Sequence, residues 1–237
     1  MITGKCLTCN GELEHYKSLV IAKCSECGAR EKTYIMCKNG HYLCNTCASK
    51  ESIGKIFNNM FTYQDKNPLD VAEKLIKDCG VCGNSPHPMT TAAFLVAYKN
   101  LTNEIDEKTV MEGVMRATQI PGGWCGYFGA CGAAIGLGVA FAIIKNSTPM
   151  SNEERSLANL VTSKALESVS IQGGPRCCTS SVRVSLEVGC EISEEYLGVI
   201  FPKRKSNFKK CWVSSFNDDC RKERCTFFNN RGELNYG

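Results

Sequence analysis

Two Cys-x2-Cys pairs, Cys6/Cys9 and Cys24/Cys27, open the chain with 14 residues between them. Each pair is the sequence form of a knuckle that offers two thiolates to one ion. Two knuckles close a tetrahedral four-sulfur site, and this spacing is that of a zinc ribbon. Asn10-Gly11 and Gly28 follow the knuckles, where a residue able to take positive φ turns the chain so that amides point at sulfur. Next comes Cys37-x3-His41-x2-Cys44-x2-Cys47, a second set of three cysteines and one histidine. Its spacing leaves no open position for substrate, so it reads as a closed structural site. The expectation is two structural zinc ions, one per set in chain order. Cys24, Cys27, Cys37, His41, Cys44, Cys47, Cys79 and Cys82 also match the spacing of a RING finger. That pattern strands Cys6 and Cys9 and asks for interleaved sites that span a predicted helix, so it is set aside.

A second cysteine set follows. Cys79-Gly80-Val81-Cys82 has the knuckle spacing at a helix end, Cys125 and Cys131 flank a glycine-rich turn, and Cys177 and Cys178 are adjacent at a helix start. Helix N-termini and glycine-rich backbone supply free N–H groups and a favourable dipole for thiolates. Thiolates so placed can ligate an iron–sulfur cluster or act as nucleophiles. Adjacent cysteines do not readily ligate one iron together, so Cys177 and Cys178 are expected to divide those roles. Cys79, Cys82, Cys125, Cys131 and Cys177 are therefore the candidate cluster ligands, and Cys178 is the candidate reactive thiol. His87, between two prolines, is a candidate acid/base, against the alternative of a loop histidine with a structural hydrogen bond. Arg183, with Arg176, could bind a substrate carboxylate, against the alternative of an ordinary helix-surface arginine. Cys190 reads as a small core hydrophobe. The late trio Cys211, Cys220 and Cys225 forms a further metal candidate whose fourth ligand the spacing does not reveal.

Composition narrows the setting. Seventeen of 237 residues are cysteine, an odd count rich in Cys-x2-Cys pairs, and the first residues carry no apolar signal-peptide core. These features favour metal-bound thiolates in a reducing, cytoplasmic compartment over a secreted disulfide scaffold. The formal charge of +4 falls to about +1 once seven thiolates and two zinc ions are counted. Basic residues gather late, at Lys203, Arg204, Lys205, Lys209, Lys210, Arg221, Lys222 and Arg224, and read as a solvated surface. No charge occurs between Arg116 and Lys145, but the continuous apolar part is shorter than the ~20 residues of a membrane span, which makes it a buried helix. There is no G-x-S-x-G elbow and no phosphate-binding G-x-x-x-x-G-K-[ST]; Gly136-Leu137-Gly138 lacks a preceding strand.

The elements that must position these groups define an α+β fold: a small N-terminal zinc-ribbon-like β module, then a mainly α-helical domain. Residues 1–50 hold short strand-like runs at 19–22 and 33–36 and too few apolar side chains to fold without metal. A polar connector spans 51–66, the helical cysteine-rich domain 67–201, and a basic cysteine-containing tail 202–237. Asn67-Pro68 announces a helix carrying Leu69, Ala72, Leu75, Ile76 and Cys79. Further helices are expected from Thr90, from Asp106 as cap, from about Ala130 to Lys145, from a Ser151/Glu154 capping box, and from Pro175.

The segments CGVCGNSPHPMTTAAFLVAY, IPGGWCGYFGACGAAIGLG and GGPRCC, with Ser181, Arg183 and Ser185-Leu186-Glu187, resemble an uncharacterised cysteine-rich family of anaerobic bacteria and methanogenic archaea. CKNGHYLCNTC resembles it too. Some relatives are joined to radical-SAM or methyltransferase-like domains, so the resemblance implies anaerobic sulfur, one-carbon or cofactor chemistry. This chain lacks the Cys-x3-Cys-x2-Cys radical-SAM signature. The leading expectation is an iron–sulfur enzyme, of the [4Fe–4S] type, acting on a small-molecule substrate. The alternatives are a zinc-binding module docking a partner protein or, less favoured, nucleic acid, and a metallocofactor assembly factor.

Overall fold

The computed structural model describes residues 5–81, 84–205, 211–217 and 219–228. Cys82 of the expected cluster set, and Lys209 and Lys210 of the basic run, lie outside the described residues.

The N-terminal hairpin pairs β1 (Leu13–Lys23) antiparallel with β2 (Arg30–Cys37). Both strand-like runs of the sequence fall inside these strands. Leu13 faces Cys37 at one end and Lys23 faces Arg30 at the other, with a register shift between His15 and Val20. The hairpin is largely exposed, so little apolar burial holds it together.

A helix not expected from the sequence, α1 (Asn45–Asn59), begins at the Cys44 cap, whose sulfur accepts the Cys47 N–H. It carries the polar stretch from Ser52 out of the cysteine-rich module and buries Ile56 against the body. Its polar composition hid it; Ser49 and Ser52 are buried at its contact face.

The helical body follows the cap signals. In α2 (Pro68–Cys79) Asn67 accepts the Leu69 N–H and proline takes the first turn. In α4 (Glu107–Thr118) Asp106 accepts the Thr109 N–H. Between them α3 (Pro86–Thr102) is buried over thirteen residues, from Pro86 to Tyr98, which makes it the central helix. The short α5 (Trp124–Tyr127) leads into α6 (Gly132–Ile144), then α7 (Glu153–Ile171) and α8 (Cys178–Leu197). The expected Ser151 cap of α7 is replaced: Ser151 Oγ accepts the Thr148 N–H at 3.0 Å, and Asn152 occupies the cap position without a side-chain bond.

Helices α3, α6 and α8 pack around Phe94, Leu137, Phe141 and Leu186, all fully buried. The Phe94 and Phe141 ring centroids lie 5.1 Å apart. Glycines permit the close approach: a Cβ at Gly189 would stand 2.7 Å from Leu137 Cδ1 and from Phe94 Cε2. Each such large side chain contributes on the order of 2 kcal/mol by leaving water. Among the described residues no helix is long and apolar enough to cross a membrane.

Candidate metal centres and the adjoining cleft

The hairpin sets which thiols meet. Cys9 precedes β1 and Cys24 follows it, so the two knuckles sit at opposite ends of the strand and do not share a site. Strand β2 returns Cys37 to the first end. Cys6, Cys9, Cys37 and His41 gather there, and Cys24, Cys27, Cys44 and Cys47 gather at the second site, with ligand atoms within 4.8 Å of one another in each group. The expected grouping in chain order is thereby corrected to an interleaved one. It is the interleaving of the RING pattern, with Cys6 and Cys9 where that pattern would need Cys79 and Cys82.

Both groups fit a metal ion. Zinc–sulfur bonds of about 2.3 Å in a tetrahedron separate sulfurs by about 3.8 Å; Cys27 Sγ and Cys44 Sγ are 3.8 Å apart, Cys9 Sγ and Cys37 Sγ 3.5 Å. His41 Nδ1 is buried with no hydrogen-bond partner and belongs to the first group. A buried imidazole nitrogen without a hydrogen-bond partner, on a ring grouped with three sulfurs, fits a ligand set. Amides aim at sulfur as well: Asn39 N–H reaches Cys37 Sγ at 3.3 Å and Cys44 N–H reaches Cys24 Sγ at 3.5 Å. The Asn39 side chain, ahead of the Gly11 amide, draws the Cys9 thiol down to about 6, and the Cys27 and Cys44 amides do the same for Cys24.

The module docks on the helical body through a polar seam. Asn84 is buried and reaches both ways: Ser49 Oγ of α1 on one side, and on the other its Nδ2 donates to Thr118 O and Ile120 O at 3.1 Å each. His87 adds a 2.9 Å bond from Nδ1 to Ile120 O. These bonds hold the chain that enters Pro121-Gly122-Gly123. Gly122 N–H then donates to Asn45 Oδ1 at 3.3 Å, and Tyr127 stacks on Tyr34 of β2 with centroids 4.2 Å apart.

A cleft of about 360 Å³ lies along this seam. Tyr34, Ile35 and Tyr42 of the module line it together with Trp124, Tyr127, Phe128, Arg176 and Cys178 of the helical body. Cys6, Cys37 and His41 border it, so the first metal group adjoins the cleft. Arg176 is exposed, and among the described residues no carboxylate lies within salt-bridge distance of it. Cys178 opens α8; burial pushes its thiol up to about 11, with Arg176 drawing the other way and Cys125 and Cys131 close enough to raise it further. Cys125, Cys131, Cys178, Arg176 and His87 thus form one neighbourhood.

Other expected site residues separate. Cys79 is buried at the end of α2, its thiol raised to about 11 by burial, with Asn59 and Asp78 beside it instead of Cys125 or Cys131. His87 is buried, held near 4 chiefly by desolvation, and its ring lies where a Cβ on Gly132 would be; it takes the structural alternative, as the clamp on Ile120. Arg183 is neither a substrate clamp nor a surface residue. It is 1% exposed and forms a bidentate pair with Glu73 of α2, at 2.6 and 3.0 Å. No sequence signal pointed to Glu73 or Asn84. Cys190 is half-buried on α8 and stands outside the core cluster, where the sequence expected a core hydrophobe.

The basic run is partly consumed within the fold. Lys205 N–H donates to the Asp70 carboxylate at 2.9 Å, Arg204 lies 3.9 Å from Glu187, and Arg221 is buried against Gln172 O and Gly173 O.

Fold and site together define a cysteine-rich α+β protein: a two-stranded module with two groups able to hold metal ions, set on a helical body. The chain belongs to DUF5714, a family of unknown function, which matches residues 56–228. The match takes in the Cys79, Cys125, Cys131 and Cys177/Cys178 segments and the late trio. Neither a curated protein nor a solved structure matches the chain.

Proposed function

We propose that this chain is a metal-thiolate enzyme that works on a small anionic molecule in the seam cleft. Two zinc ions fix the module that lines part of it, and an iron–sulfur cluster in the helical body supplies electrons or a Lewis-acid site. That chemistry would belong to anaerobic sulfur, one-carbon or cofactor metabolism, as the resemblance drawn from the sequence suggests. One observation carries the reading: a half-buried thiol, Cys178, opens a helix in the lining of a cleft rich in aromatic side chains that also holds Arg176, a cation with no carboxylate partner among the described residues. Pockets of this size with a few convergent polar groups are where small ligands bind. Arg176 would take a carboxylate or phosphate in its planar fork, the Trp124 ring would cover an apolar part of the substrate, and Cys178 would meet its reacting atom. The zinc sites, each with four protein ligands, hold the module and leave no coordination position for substrate.

The test is a thermal-shift screen of small carboxylates, phosphates and thiols on oxygen-free protein. A ligand that raises the melting temperature of the wild type should lose that effect in Arg176→Gln. It should still bind Cys178→Ser without being converted. A screen whose hits bind Arg176→Gln undiminished would remove the cleft from the account.

A further inference from the structure

Cys177 and Cys178 are neighbours in the chain, yet they face different cavities. Cys178 lines the seam cleft. Cys177, the cap residue of α8, lines a small cavity of about 20 Å³ together with Cys211, Cys220 and Cys225. The late trio therefore has a fourth thiol, supplied by a residue 34 positions earlier than Cys211. We propose that Cys177, Cys211, Cys220 and Cys225 are the four ligands of an iron–sulfur cluster. This assignment rests on the iron–sulfur reading above and replaces the ligand set expected from the sequence.

Three features of the cavity argue for it. The first is donors aimed at sulfur: Arg183 Nη1 lies 3.1 Å from Cys211 Sγ, Lys222 N–H 3.4 Å from Cys220 Sγ, and Asn217 Nδ2 4.0 Å from Cys177 Sγ. The Ser180 amide in the first turn of α8 also points at Cys177. Hydrogen bonds to sulfur of this kind hold and tune cluster thiolates. The second is charge. Four thiolates around a cluster core leave a net negative charge, and Arg221 is buried beside them. Among the described residues Arg221 has no carboxylate partner; its guanidinium donates only to two carbonyls and to Ser180 Oγ, at 2.9 Å for the last. A buried guanidinium needs a counter-charge, and the thiolates provide one. The third is spacing. No three of the four sulfurs lie within 4.8 Å of one another, the separation that gathers each N-terminal group. A single tetrahedral ion needs the closer packing, whereas a polynuclear core holds its cysteines apart around a central space.

The described residues of 211–217 and 219–228 hold two short 3-10 turns and, among them, neither a longer helix nor a strand. A cluster bridging this stretch to α8 would account for how it covers the Arg183–Glu73 pair, with Phe227 on the guanidinium face at 5.3 Å.

The experiment is oxygen-free purification of the full chain as wild type, Cys211→Ser, Cys220→Ser, Cys225→Ser and, for comparison, Cys125→Ser. Iron, acid-labile sulfide, zinc and the visible spectrum are measured for each. Helical circular dichroism and retention of the N-terminal zinc report that a variant is folded. The assignment predicts iron and sulfide in equal amounts with a thiolate-to-iron absorption band in the wild type and in Cys125→Ser. It predicts loss of that band, or its shift on serine ligation, in each of the three folded late variants. Iron retained unchanged in those variants but lost in Cys125→Ser would overturn this ligand set and leave the iron–sulfur reading standing. Zinc at three per chain without sulfide, falling to two in Cys211→Ser, would overturn the iron–sulfur assignment itself.

Discussion

His87 shows how burial decides a side chain's role. With its Nδ1 proton held by Ile120 O and desolvation depressing its pKa to about 4 from 6.5, the ring stays neutral in the folded protein down to acid pH. The unfolded chain takes up the proton first as pH falls. His87 therefore costs stability progressively from pH 6.5 down to about 4, by up to about 3 kcal/mol in full. Arg176 contributes in the same direction. Urea midpoints at pH 7 and pH 5 should fall more for the wild type than for His87→Gln, and the ring carbon shifts of His87 should remain those of neutral imidazole at pH 5. A full titration near pH 6.5 would contradict this. At this scale the sequence is legible where chemistry is local, as in the Cys9 and Cys24 knuckles, whose neighbouring amides meet sulfur. It was read poorly where a distant partner decides: nothing near Arg183 in the chain announces Glu73, 110 positions away.

Element boundaries were legible wherever a cap acts within a turn of its helix. Asn67-Pro68 and Asp106 each satisfy amides two or three residues on, and that logic needs no tertiary context. Ser151 misled because Thr148, three residues back, captures its hydroxyl. Helix α1 was missed because its polar face packs on the seam and its start is fixed by Cys44. The apolar run that reads as a buried helix is α6, and its glycines explain how it lies so close to α7. A Cβ on Gly138 would overlap Thr162 Oγ1 and stand 2.9 Å from the Ala158 carbonyl. Alanine is the better helix former by about 1 kcal/mol, but backbone cannot yield as a side chain can. Gly138→Ala should therefore destabilise by about 1–3 kcal/mol, with part recovered by adding Thr162→Ala. Gly126→Ala, where a Cβ meets nothing within 4 Å, should be near neutral. Equal denaturation midpoints for the two glycine variants would remove close α6–α7 packing from the account.

At the scale of the whole molecule, metal groups and cavities depend on which chain segments the fold brings together. The eight N-terminal ligands could be chosen from sequence, because Cys-x2-Cys is a local device; their grouping could not, because any two knuckles can close a site. The antiparallel register made that choice, placing Cys37 beside the first knuckle and Cys24 at the far end. The same holds for the late trio, which met its fourth thiol only through the packing of segment 211–228 on α8. With so exposed a hairpin, the module has little besides its two metal groups to keep it folded, and its loss would remove Tyr34 from the lining of the cleft. The measurement that bears most directly on this is zinc per chain in oxygen-free protein, before and after chelation, with limited proteolysis of the first 50 residues. Two tightly held zinc ions, and a module that becomes protease-sensitive when they are stripped while the helical body resists, are the predicted result. A zinc-free chain whose module resists proteolysis with its thiols joined as disulfides would contradict the account.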